Sequence, residues 1–346
     1  MLNGTLMRAF KYIFILLLIV IVGGAVYFSV KDGTYDITKT QSIQAPPSLI
    51  FDEIKDFKQW NNWNPWLNDK EVSSTMGTQT QGVDGNYSFT DAHGTGKMTI
   101  IGIELNKSLT IHMLYDNGMT SSNSEIVMDL EQIENGTQIT WNIKGEQGLL
   151  DKAMSTILRT DKEEIIALKY EKGLKDLKEI VMESMTVQSS SVDGIIETGG
   201  GYFLFMSSSS KKEKLPELKN QMLQTIKLYM HRNQIDMYGV ARVIYEKKDT
   251  LSNSVIFSTA IPVQNREITA LESTVLCSYQ KPGKAVKITL KGAYTNLEEA
   301  WEKGEKFIAQ NGLVKSEEAP YEIYKTNPLL TPNPANYLTE IYLPIQ

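Results

Sequence analysis

One cysteine, Cys277, stands in 346 residues, which excludes an internal disulfide and a cysteine-based zinc site. Histidine is nearly as scarce. His93, His112 and His231 are scattered along the chain and give no metal-binding spacing. With so few of either residue, no Ser-His-Asp or Cys-His set supports nucleophilic catalysis, and nothing calls for a metal or a cofactor. Positive charge is also short: 35 Lys and Arg face 41 Asp and Glu, for a formal net charge of −6. No basic stripe with interleaved aromatics is present, so nucleic acid is not an expected partner. The triple glycine Gly199-Gly200-Gly201 is not followed by Gly-Lys-Ser/Thr, which leaves a phosphate cradle without support. The remainder is ordinary for globular protein, 41% hydrophobic and 22% charged, and long enough for about two domains.

Long apolar runs are rare too, with one exception. Tyr12 to Val30 carries no charge and is mostly apolar, enough to cross a bilayer as a helix. Arg8 and Lys11 precede it, so residues 1–11 are expected as a cytoplasmic tail, 12–30 as a single-pass helix in the cytoplasmic membrane, and the rest as periplasmic or extracellular. A cleaved signal peptide is the alternative. The run ends Val-Tyr-Phe-Ser-Val with no small-x-small site and no following lipobox cysteine, which favours an anchor.

Tyr35 to Gln44 alternates like a strand. Ala45-Pro46-Pro47 breaks it, and Ser48 is placed to cap a helix over Leu49–Ile54. Trp60, Trp63 and Trp66 then crowd into seven residues. They suit either a sugar-stacking platform or a plug at one end of a core, and the plug is expected. Segments 87–89, 97–105, 108–115, 125–131 and 137–143 read as an antiparallel meander with Leu-Asn-Lys and Glu-Asn-Gly turns. Leu149 to Ser184 repeats apolar residues every three or four positions, as one long helix would. The fold class expected for this half is α+β.

Three stretches carry a resemblance: Ser-Ile-Gln-Ala-Pro-Pro-Ser-Leu-Ile-Phe (42–51), Asp-Phe-x-x-Trp-x-x-Trp-x-Pro-Trp (56–66) and Tyr-Glu-Lys-Gly-Leu-Lys-Asp-Leu-Lys (170–178). They resemble the SRPBCC superfamily (START-like, polyketide cyclase/dehydrase), over residues 35–185. The resemblance implies a helix-grip fold, a curved antiparallel sheet around a long C-terminal helix, with an apolar cavity between them. The family holds ligand binders, lipid carriers and a few cyclases, and because its pockets vary no catalytic residue carries over.

Residues 186–194 are rich in Ser and read as a linker, with a strand within Val187–Glu197 entering the next domain as the alternative; a second domain is expected at 195–346. This half repeats itself. A helical stretch (215–233, then 297–311) leads to Val243-Ile-Tyr-Glu-Lys or Glu322-Ile-Tyr-Lys, and then to Ile261-Pro-Val-Gln or Leu343-Pro-Ile-Gln. Aligning Pro262 with Pro344 sets Ser258 opposite Glu340, so one copy carries an odd carboxylate. Leu290-Lys-Gly-Ala-Tyr-Thr-Asn-Leu, Ala300-Trp301, Asn311-Gly312, Pro320-Tyr-Glu-Ile-Tyr and Thr339-Glu-Ile-Tyr-Leu-Pro-Ile are similar to the GyrI-like, or AraC/MerR-type effector-binding, domain. That family implies two β-α-β-β halves with pseudo-twofold symmetry and a pocket between them lined by aromatics and a glutamate on the last strand. On this chain the match names Glu340, Tyr294, Trp301, Tyr321 and Tyr324. A carboxylate among aromatics suits a small hydrophobic or cationic organic ligand. The expected function is membrane-anchored small-molecule binding, for sensing or sequestration. Two alternatives stand beside it: a hydrolase using Glu340 as acid or base, and a structural or partner-binding module. The family's sensors carry a helix-turn-helix where this chain has the apolar helix and the helix-grip domain, so direct control of transcription is not expected.

Overall fold

The computed structural model describes residues 2–118, 120–158, 162–249 and 252–346. It divides into two compact units that meet in sequence at Glu183 and Ser184.

The first unit opens with helix α1 (Leu2–Val30), apolar across Phe10–Val30 and not buried in the protein. Strand β1 (Thr34–Ile43) follows, then α2 (Pro47–Ile54) and the single turn α3 (Trp60–Trp63). Ser48 does not cap α2. The helix starts two residues earlier, with Pro46 at the N-cap and no side-chain cap bond, because proline at the first helical position has no amide hydrogen left to satisfy. Strands β2 (Ser73–Met76), β3 (Asn86–Thr90), β4 (Thr95–Glu104), β5 (Ser108–Asp116), β6 (Ser121–Ile133) and β7 (Gly136–Glu146) complete a seven-stranded antiparallel sheet in the order β1-β7-β6-β5-β4-β3-β2. The stretch expected as one helix is helical on both sides of residues 159–161, which lie outside the described residues; its two described parts are α4 (Leu149–Leu158) and α5 (Lys162–Ser184).

Helix α5 buries Tyr170, Leu174, Leu177 and Val181, a spacing that keeps one face on the sheet. The Tyr170 ring stacks on Trp141 of β7 with centroids 3.9 Å apart. Trp60, Trp63, Phe57 and Tyr87 pack around that pair, all of them at most 1% exposed. The tryptophans are therefore the plug of a core. The indole nitrogens of Trp60 and Trp63 donate to the carbonyls of Ile54 and Glu53 at the end of α2, so these large rings bury no unpaired donor. Between sheet and helix, where the resemblance implies a cavity, Trp141 and Tyr170 stack directly on each other.

The second unit comprises β8 (Ser189–Thr198), β9 (Gly201–Lys211), α6 (Leu215–Arg232), β10 (Arg242–Asp249), β11 (Ser254–Val263), β12 (Leu276–Gln280), β13 (Gly283–Lys291), α7 (Leu297–Gln310), β14 (Tyr321–Tyr324) and β15 (Leu338–Ile345). Its eight strands run β12-β9-β11-β10-β14-β15-β13-β8. The order is a palindrome of two β-α-β-β halves joined where β10 pairs with β14. Each half sends its leading strand to the other: β8 pairs with β13, and β12 with β9. Most of the expected linker is consequently strand, since β8 begins at Ser189. The serine run 207–210 is also strand, paired through Ser208 with Phe257. Helix α6 covers Leu204, Ile261 and Val263. Helix α7 lays Ala300 and Ile308 on Val286, Ile288, Ile341 and Leu343.

Candidate functional site

The sheet register fixes which side chains can meet. In β15, Thr339, Ile341, Leu343 and Ile345 are buried and the last three pack under α7. Alternation then turns Glu340 and Tyr342 to the face without helices. The Glu340 carboxylate is already paired there: Lys287 Nζ lies 2.9 Å away, Lys325 3.8 Å, and the Tyr342 hydroxyl donates to it at 3.0 Å. Tyr321 sits on the same face, stacked on Tyr342 at 4.7 Å and covered by the Arg242 guanidinium. The expectation of Glu340 in one pocket with Trp301 and Tyr324 does not hold, because those residues occupy the opposite face.

On the helix face a different carboxylate takes the centre. Glu322 of β14 is 2% exposed. Its Oε1 accepts from Trp301 Nε1 at 2.7 Å, and its Oε2 accepts from the hydroxyls of Tyr245, at 2.6 Å, and of Tyr324. Lys219 of α6 reaches the cluster only through the Tyr324 hydroxyl, at 2.6 Å, with its ammonium over the Tyr324 ring. Burial pushes the Lys219 ammonium down, opposed by the Glu322 charge. Burial likewise raises Tyr245 and Tyr324, helped by Glu322. Tyr294 packs edge-on against Tyr324 at 5.1 Å, and burial pushes it up to about 12.

The two halves build this cluster jointly. Tyr245 and Tyr324 hold equivalent places in the repeat, and so do Lys219 and Trp301, each four residues into its helix. The position equivalent to Glu322 is Val243. Beyond Tyr245 the β10 register slips by one residue against β11. This bulge re-aims the next side chains and brings Lys248 onto the side of Tyr245. Its ammonium lies 3.6 Å from the Trp301 ring centre and 5.0 Å from that of Tyr245. A depression of about 410 Å³ opens there, lined by Lys248, Glu298, Trp301, Glu302, Glu305 and Lys306. Of the five residues expected from sequence, the structure thus gathers Tyr294, Trp301 and Tyr324 and sets Tyr321 and Glu340 apart. Glu322 was missed, yet its signal stood in the repeat: valine in one copy, glutamate in the other, at a position that alternation buries.

Two family models match, one in each unit. Residues 34–181 match polyketide cyclase / dehydrase and lipid transport, and residues 208–346 match the GyrI-like small molecule binding domain. The chain joins an SRPBCC domain to a GyrI-like domain. No curated protein matches it. Solved structures of similar fold include the EcmrR C-terminal domain (15% identity, 46% of this chain and 99% of that one, TM-score 0.38). The Aha1 dimer from Colwellia psychrerythraea is another (20% identity, 42% and 96%, TM-score 0.31). Protein CV1439 from Chromobacterium violaceum is a third (12% identity, 42% and 96%, TM-score 0.34).

The Glu340 pairing has a pH signature. Burial alone would raise this carboxyl, but the Lys287 and Tyr342 hydrogen bonds and the charges of Lys287 and Lys325 outweigh it, so Glu340 titrates below its ordinary value of 4.5. Lys287 is raised above 10.5, first by its bond to Glu340. A depressed carboxyl contributes stability that is present above 4.5 and is lost as pH falls through the folded value. A raised lysine contributes stability that is present below 10.5 and is lost as pH rises through its folded value. Glu340→Gln should therefore flatten the pH dependence of the melting temperature at both ends, in acid below about 4.5 and in alkali above about 10.5. Superimposable profiles for wild type and mutant would show that the pair contributes nothing to stability.

Proposed function

We propose that the chain is a membrane-anchored protein that binds an aromatic organic cation in its GyrI-like domain, at Glu322, and so senses or sequesters it. Both domains belong to small-molecule-binding families; the ligand class and the anchor are our reading. The observation that carries it is the state of Glu322: a carboxylate 2% exposed, held by three neutral donors. Among the described residues no ammonium or guanidinium forms an ion pair with it. A buried charge whose direct partners are only hydroxyl and indole groups is costly; Lys219 and Lys248 act on it from a distance, and a cationic ligand in contact with it would offset that cost. The rings beside it already receive cations, since Lys248 and Lys219 rest on Trp301 and Tyr324. The depression over Trp301 falls in the size range of small-molecule sites. On this reading the ligand displaces Lys248 from the indole and approaches Glu322 from there. The α1 helix holds the protein at the membrane with the N-terminus in the cytoplasm.

The test is calorimetric titration of the detergent-solubilised chain with lipophilic aromatic cations and with neutral molecules of the same shape. Cations should bind more tightly, and Lys248→Ala should strengthen them further by removing the tethered competitor. Equal affinity for charged and neutral partners would overturn the assignment to Glu322.

A further inference from the structure

Helix α4 is amphipathic in the wrong sense for water. Its polar side faces the domain: Lys152 is 7% exposed, and Asp151 accepts from Asn117. Its apolar side faces outward, with Leu149 40%, Met154 55% and Ile157 72% exposed. At 3.6 residues per turn these three, with Ala153 between them, lie within one arc of the helix. A surface helix of a water-soluble domain shows the reverse arrangement.

The place of this helix says what covers it. Lys152 Nζ donates to the Lys31 carbonyl at 2.8 Å, and Lys31 Nζ donates to Thr156 Oγ1 at 2.8 Å. The amide of Gln147, just before α4, donates to the Gly33 carbonyl at 2.9 Å. Gly33 is required for this closeness, because a Cβ there would lie 2.1 Å from Lys152 Cε. Lys31 is the first residue after the apolar run of α1. Phe10–Val30 is 21 residues, which at 1.5 Å each spans about 30 Å, the thickness of a bilayer's hydrocarbon layer. Val30 then sits at the edge of that layer, and α4 is fastened one residue beyond it.

We propose that α4 is an interfacial helix. It lies flat on the bilayer that holds α1, with Leu149, Met154 and Ile157 in the boundary between headgroups and acyl chains, and it fixes the SRPBCC domain against the membrane. The inference rests on α1 being a membrane anchor. A helix with this arrangement binds by burying its apolar face a few ångströms into the interface. The second attachment point holds the domain at the lipid surface instead of leaving it to swing on a single tether.

The test uses the full chain in phosphatidylcholine vesicles, in a Cys277→Ser background. One cysteine is placed at Ile157, at Val20 within α1, or at Lys175, a polar exposed position on α5, and labelled with an environment-sensitive fluorophore. Lipids carrying a nitroxide at shallow depth should quench Ile157 severalfold more than Lys175, and aqueous iodide should quench it severalfold less. Val20 should respond to deep nitroxides. If Val20 is quenched by lipid and Ile157 behaves like Lys175, the interfacial helix is wrong and the anchor stands. Shielding of Ile157 from iodide without lipid quenching would place protein over α4 and also overturn the proposal. A Val20 label with no lipid quenching would remove the anchor, and this inference with it. Met154→Glu with Ile157→Glu, both at exposed sites, should leave the fold intact and bring label at Leu149→Cys out to iodide.

Discussion

Glu322→Gln is expected to weaken binding of an aromatic cation by roughly two to three orders of magnitude while moving the melting temperature of the protein very little. Glutamine keeps the volume and one acceptor oxygen. The Tyr245 and Tyr324 hydroxyls can rotate to meet an amide that both donates and accepts. What disappears is the charge. Removing one member of a desolvated pair costs on the order of 3–5 kcal/mol, which gives the affinity loss. The fold does not depend on that charge, because three neutral donors hold it and its repeat mate is an uncharged valine. Glu340→Gln, on the other face of the sheet and already paired with Lys287, should leave the same titration unchanged. Calorimetry of the three proteins, read beside their melting curves, separates the possibilities. A Glu322→Gln protein that loses binding only because it melts early would make Glu322 a structural centre and not a ligand group. One that binds cations as the wild type does would remove the carboxylate from the site altogether.

The contrast between Glu322 and Glu340 shows how far the sequence could be read. The repeat was legible, because each half must bury the same apolar faces and so keeps the same spacing. The pairing register agrees with the alignment: Ile244 opposite Ser258 matches Ile323 opposite Glu340. The alternation of β15 was legible too, and Ile341 and Leu343 do pack beneath α7. What could not be read was which face held the aromatics. Tyr321 and Tyr324 differ by an odd number of positions on one strand, and an odd separation puts side chains on opposite faces. Treating both as one pocket joined residues that the sheet separates, with Glu340 and Tyr321 on one face and Tyr324 on the other. Lys248 was beyond reach, since it joins Trp301 only through a one-residue bulge that no local residue pattern announces.

The serine-rich stretches misled for another reason. Serine is common in turns, so 186–194 read as linker. In the fold β8 and β9 take their register from β13 and β11. Their strand character is imposed by partners distant in sequence, which is the usual limit of strand propensity. In the first unit, by contrast, the tryptophan run declared itself, because rings of that size in a chain this short of large apolar runs have few places to go but a core.

The second large effect is expected in that core. Trp141→Ala should destabilise the SRPBCC domain by about 3–5 kcal/mol, a large share of the roughly 5–15 kcal/mol that holds a domain folded. Trp141 is 1% exposed, stacks on Tyr170 of α5 and meets Trp60, Trp63 and Trp66 edge-on. It is the ring through which the sheet holds the helix. Its removal leaves a cavity that those large neighbours cannot collapse into without leaving their own partners. Gly173 marks how close the contact is: a Cβ there would lie 2.9 Å from the Trp141 ring and 3.0 Å from Pro65. Gly173→Ala should therefore cost about 1–3 kcal/mol from overpacking, offset by up to about 1 kcal/mol of gained helix propensity. Trp141→Phe trims the ring edge that an alanine at 173 would strike. The double mutant Trp141→Phe with Gly173→Ala should then be more stable than the sum of the two single changes by at least about 0.5 kcal/mol, as expected of residues in contact. Urea denaturation followed by circular dichroism measures the wild type and all four variants. Strict additivity would mean that Gly173 is not held to glycine by the Trp141 ring, and a Trp141→Ala cost below about 1 kcal/mol would mean that this ring is not what joins helix to sheet.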